Sequence, residues 1–213
     1  CTMSSVQEYQ AFRRASRELN SQVMEKSLSR KAIDRAGNLL GIVRDNTFVF
    51  SDEDETSILM DFALHDCRDN GQNAFEVYRE TVGRRNETEK AILDAFLASY
   101  SSLFRITSVA EAEATMLLTD LLNQSNTVKL VDIGFSRTSS PGLLIFTRLV
   151  PFGDGLNMTS GIALLFPGNI EAYLLRRYKR RARKVKAASD SVNRFVAFFH
   201  LYKECGLPVR YEL

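Results

Sequence analysis

The sequence predicts an α+β protein with a helical N-terminal half, a central five-stranded antiparallel curled sheet or small barrel, and two C-terminal helices. Three observations predict it. Apolar residues recur at threes and fours as far as Tyr100, and from Ser101 the period changes to alternation. Leu143 to Phe152 is apolar on both alternating faces, so this strand lies inside a sheet and is covered on both sides by the segments before and after it. After Pro167-Gly168-Asn169 the helical period returns.

Each element has a local reason. Val6, Tyr9, Phe12, Ala15, Leu19 and Val23 form one stripe, so residues 5–24 are helical. A second helix over 29–40 buries Ile33, Ala36 and Leu40 and stops at Gly41. Asp45-Asn46 is a turn, and 47–50 a short strand. Ser51 caps a helix over 53–66 whose first turn is acidic, which suits the positive end of the helix dipole. A helix around Ala74 to Tyr78 lies between Asn70-Gly71 and Gly83, and Asn86 with Glu89 has the spacing of a capping box for a helix reaching Tyr100. Residues 103–109, 115–122, 127–133, 143–152 and 156–166 read as five strands, with hairpin turns at Asn123 to Asn126 and Gly153-Asp154-Gly155. A long helix covers 170–188. Ser189 or Asp190 caps the last one, which ends near Gly206, and the tail 207–213 is read as a short edge strand.

Regions therefore run 1–100 (helical), 101–168 (antiparallel β) and 169–213 (helical, packing on the sheet), expected as one compact unit. At 213 residues the chain buries a core without staples. Its apolar share of 45% and charged share of 25% place it among soluble globular proteins. No apolar run reaches the roughly 18 residues of a membrane helix. The polar, helical start predicts no secretory leader, and three cysteines that cannot all pair predict reduced thiols, hence a cytoplasmic protein.

The search for chemistry finds little. His65, Cys67, His200 and Cys205 are metal-ligand types, but His65 and Cys67 stand two apart on a helix and point away from each other, so no metal and no cofactor is assigned. His65-Asp66-Cys67 cannot converge as a nucleophile and base for the same reason, and no Gly-x-Ser-x-Gly elbow occurs. Gly153-Asp154-Gly155 lacks the third glycine and following helix of a phosphate loop. Arg148, a charge within the most apolar strand, calls for a partner, and Asp120 and Asp132 are the candidates. No catalytic residue is assigned.

Leu59-Met60-Asp61-Phe62-Ala63-Leu64-His65-Asp66, Asn70-Gly71, Ser102-Leu103-Phe104-Arg105-Ile106, and Leu143 to Val150 with a later Gly161 form a loose pattern. It resembles uncharacterised bacterial proteins that often end in a SEC-C motif, a small zinc-binding tail. The resemblance implies an α+β fold of unassigned activity. The zinc tail itself is missing here, since its Cys-x-Cys and His-Cys or Cys-Cys pairs find only His200 and Cys205.

Charge is the feature that stands out. Arg176, Arg177, Lys179, Arg180, Arg181, Arg183, Lys184 and Lys186 fall within eleven residues that hold no acid, so the rest of the chain nets −6 against a total of +2. Three readings follow: contact with nucleic-acid backbone, docking on a membrane surface or acidic partner, or a solvated face neutralised by acids such as Asp52 to Glu55 or those of a second copy. The sequence predicts a non-catalytic binding or scaffold protein. The alternative is a sequence-tolerant nucleic-acid-associated protein using the basic helix over 170–188, and the weaker one an enzyme whose site is not visible. Candidate partners are a protein, a second copy of the chain, or nucleic acid; no small molecule is identified.

Overall fold

Caps and turns divide the N-terminal half into helices. A computed structural model describes residues 5–83, 86–124, 126–153, 155–183 and 189–207. The chain divides into two units, Gln7–Ser99 and Tyr100–Leu213 with Cys1–Val6. Helix α1 is Ser5–Lys26 and α2 Arg30–Leu40, with Ser29 accepting from the Ala32 amide at the start and Gly41 left-handed (φ 71°) at the end. Strands β1 (Val43–Arg44) and β2 (Thr47–Phe48) make a two-residue hairpin whose turn, Asp45-Asn46, has positive φ at both positions.

Helices α3 (Asp54–His65), α4 (Ala74–Thr81) and α5 (Glu87–Ala98) follow. At α3 the cap is Asp52 rather than Ser51: its Oδ1 accepts the Glu55 amide (3.1 Å), and Glu55 Oε2 accepts the Ser51 amide (2.7 Å). A full capping box stands at Asn73 and Glu76. At α5, Asn86 Oδ1 accepts the Glu89 amide (2.8 Å), while the Glu89 carboxylate accepts the Tyr78 hydroxyl (3.0 Å).

The second unit holds the expected small barrel. Its strands are β3 (Tyr100–Ala110), β4 (Thr115–Asp120), β5 (Thr127–Val131), β6 (Leu144–Phe152) and β7 (Leu156–Thr159). They run in the order β3-β4-β5-β7-β6, and β6 pairs back to β3, which closes the ring. The antiparallel expectation fails at one seam: β5 and β7 are parallel, through Lys129↔Leu156 and Leu130↔Asn157. The physical reason is closure. The β6–β7 hairpin sits between β3 and β5, which themselves run in the same direction, so one seam of a five-stranded ring must be parallel.

The predicted strand 156–166 is two. It breaks at Ser160-Gly161, where Gly161 has φ 120°, and β8 (Leu164–Phe166) then pairs with the other end of β6. Between β5 and β6 lies a short helix absent from the prediction, α6 (Ile133–Thr138), capped by Asp132, whose Oδ1 accepts the Phe135 amide (2.9 Å).

Inside the barrel are Phe104, Ile106, Met116, Leu118, Leu130, Ile145 and Leu149, with Phe135 of α6 packed against them. Residues Leu144 to Val150 are all buried, as the sequence requires of a strand covered on both sides. The cover on the outer side is α8 (Asp190–Cys205), capped by Ser189: Phe146 stacks on Phe198 at 4.6 Å and meets Phe195 at 5.8 Å. Arg148 is 2% exposed and leaves the wall on this outer side. Asp120 faces the interior, where it accepts from the Ser102 hydroxyl (2.5 Å), the Leu122 and Asn123 amides and Asn123 Nδ2 (2.8 Å), so the two residues lie on opposite faces of the wall. The Leu207 amide donates to the Leu165 carbonyl (2.8 Å), the start of the expected tail contact; 208–213 lie outside the described residues.

Candidate anion-binding face

Helix α7 (Glu171–Ala182) carries the basic run, and four contacts fix which of its faces turns outward. Leu174 is its buried residue. Tyr178 stacks on Phe198 at 4.9 Å, so α8 lies between α7 and the barrel wall. Glu171 receives Arg105 of β3 in a two-pronged pair, Nε to Oε2 at 2.7 Å and Nη2 to Oε1 at 2.5 Å. Glu204, in the last turn of α8, receives Arg177 Nη2 (3.3 Å) and Arg181 Nη2.

The basic run is thereby split. Arg177 and Arg181 are one turn apart, point toward α8 and share the Glu204 carboxylate. Partial burial pushes that carboxyl up, and the hydrogen bonds and charges of Arg181 and Arg177 outweigh it, holding Glu204 below the usual carboxylate range. Arg176, Lys179, Arg180 and Arg183 follow at steps of three, one and three. They form a single exposed row about 10 Å long on the opposite face. Among the described residues none of the four makes an ion pair or hydrogen bond, and Ala172 and Leu175 lie beside them. Lys184 and Lys186 lie outside the described residues.

Glu204 and Glu171 were not singled out from sequence. A signal existed for Glu204: a carboxylate in the last turn of a helix faces the negative end of the dipole, and a nearby cation compensates for that. Asp52 and Glu55, the acids expected to neutralise the basic run, are engaged at the start of α3.

The other candidates resolve into structure. His65 is buried between Phe75 (ring centroids 4.5 Å) and Phe96 (5.7 Å), with Nδ1 3.3 Å from the Ser99 hydroxyl. Cys67 is buried beside a cavity of about 280 Å³ lined also by Ser29 and Asn73, but both of those cap helices. Burial first, then the Asp66 charge, push the Cys67 thiol up to about 12 against the pull of Arg35, so it is no nucleophile at neutral pH. No group of three metal-ligating side chains gathers among the described residues, and no described helix is long and apolar enough to cross a membrane.

The model of a family of unknown function, DUF7986, matches residues 3–212, nearly the whole chain. The chain belongs to this family. DUF7986 is thus represented here by a helical unit and a closed five-stranded mixed barrel with two C-terminal helices. That match shows no SEC-C association. No curated protein and no solved structure matches the chain.

Proposed function

We propose that this chain is a non-catalytic binding module whose ligand is the backbone of nucleic acid, held without regard to sequence on the outer row of α7. The observation that carries the reading is the division of the cations. Two are paired with Glu204, and four are left together on one exposed face. Arg176 with Lys179 and Arg180, and Arg183 with Lys179 and Arg180, make four like-charge pairs at helical spacing. At a few tenths of a kcal/mol each they cost about 1–2 kcal/mol, which a bound polyanion relieves.

The barrel offers a competing location. Its strand order, with third and fifth strands parallel, is that of OB-type barrels, whose ligands lie on the second and third strands and neighbouring loops. Topology alone assigns no ligand. Here the loop between the first two barrel strands carries exposed Glu111 and Glu113, which repel phosphate, so α7 is the better site. Cytoplasmic residence belongs to the same proposal and is supported by the free thiols of Cys67 and Cys205.

The test is fluorescence anisotropy with a labelled mixed-sequence oligonucleotide. Binding is expected to be tightest at low salt and to weaken to the roughly 10⁻⁴–10⁻⁶ M range of non-specific complexes at physiological salt. Arg176→Glu with Arg180→Glu should abolish it. A double variant that binds like the parent overturns the reading. Binding to anionic vesicles with none to oligonucleotides moves the ligand to a membrane surface instead.

A further inference from the structure

We infer that the nucleic acid taken by α7 is single-stranded, with one base stacked on the ring of Tyr173 while its neighbouring phosphates lie on Arg176 and Arg180; the inference rests on the polyanion reading of this helix. Two tyrosines stand in the basic helix, and the structure separates their roles. Tyr178 is half-buried against α8, stacked on Phe198 at an interplanar angle of 25°. Tyr173 is 39% exposed, one of the few large apolar side chains on the described surface. The other exposed tyrosine among the described residues, Tyr100, is engaged otherwise, with its ring 6.3 Å from that of Phe104 and its phenol pushed up by burial and the Asp120 charge.

Position supports the assignment. Tyr173 precedes Arg176, Arg177 and Arg180 by three, four and seven residues, so on the helix surface it flanks the cation row. The Arg177 guanidinium sits 5.8 Å from the ring centroid and, through its bond to Glu204, ties this end of the row to α8. A cation over an aromatic ring restrains the ring's orientation. An exposed ring beside a row of cations is the combination that single-strand binders use: stacking takes any base because every base has a π-face, and the cations track the backbone. A duplex keeps its bases stacked on one another and offers the ring nothing comparable.

Three probes test this with the full chain: a labelled single-stranded 12-mer, the duplex of the same sequence, and inorganic polyphosphate, which has charge and no bases. The parent protein should prefer the single strand to the duplex. Tyr173→Ala should weaken single-strand binding by about 5- to 150-fold, the range for losing one base–aromatic stack. Its effect on polyphosphate should be far smaller, and Tyr173→Phe should restore single-strand binding. Circular dichroism checks that each variant is folded. Equal affinity for single strand and duplex, or an equal loss on the 12-mer and on polyphosphate, overturns the inference and leaves the polyanion reading standing. No binding to any of the three probes overturns the polyanion reading itself.

Discussion

Replacing Arg176 with Glu should move stability and binding in opposite directions. Arg176 lies in the middle of α7, away from the last turn, so the helix dipole has little to say about its charge. It faces Lys179 at three residues and Arg180 at four, and has no partner of its own among the described residues. A glutamate removes two repulsions and creates two attractions, with the acid N-terminal to its cations, the better orientation. At about 0.2–0.5 kcal/mol per pair, the four changes sum to about 1–2 kcal/mol of stabilisation. For a chain of this length that raises Tm by about 2–4 °C per kcal/mol. The same substitution should flatten the salt dependence of single-strand binding by at least about 0.7 in slope, since one phosphate contact is lost. Thermal unfolding of both proteins and anisotropy titrations across a salt series read the two effects. A variant that melts lower than the parent and binds oligonucleotide unchanged would refute the claim that this row is strained and kept for an anion.

Three further outcomes follow from the geometry. Phe198→Ala should destabilise the barrel unit by about 3–5 kcal/mol, because Phe198 is sandwiched between Phe146 and Tyr178 and borders Phe166; a chemical denaturation midpoint near the parent's would contradict this. The Cys67 thiol, held up at about 12, should resist a thiol-reactive dye at pH 8 in native buffer and react once denaturant is added, as followed by mass spectrometry. Burial, then the charge and hydrogen bond of Asp120, push the Tyr100 phenol from 10.0 to about 12 against Arg194. Folding thus favours the neutral phenol, whose contribution is whole below pH 10 and is lost as pH rises toward 12; Tyr100→Phe should lose less stability than the parent across that window, and parallel curves would count against it.

The sequence was legible where a residue's role is local or periodic. The alternation from Ser101 gave the barrel strands, and the unbroken apolar run Leu143 to Phe152 gave the strand buried on both sides. The caps at Asn86 and Ser189 stand where expected. What was missed depends on partners distant in sequence or on short segments. The parallel β5–β7 seam is set by ring closure and leaves no mark in either strand. Helix α6 is six residues with a glycine inside, too short for a period to register, and only Asp132 as its cap announced it. The full capping box at Asn73 and Glu76 was readable from its spacing, and the one at Asn86 was half right because Tyr78 claims Glu89.

The candidate site divides the same way. The basic run is plain in the sequence, and its outer row follows from helical spacing. Which cations are paired is not readable, because that depends on how α8 lies against α7 and brings Glu204 between Arg177 and Arg181. Likewise, nothing in the sequence distinguishes Tyr173 from Tyr178. Packing against Phe198 decides it.

The most direct measurement is the slope of log K against log salt for the parent protein on a single-stranded oligonucleotide. Four cations on the strand predict about −2.8, a loss of roughly 50-fold between 50 and 200 mM salt. A slope near zero, or no complex at the lowest salt, would contradict the account.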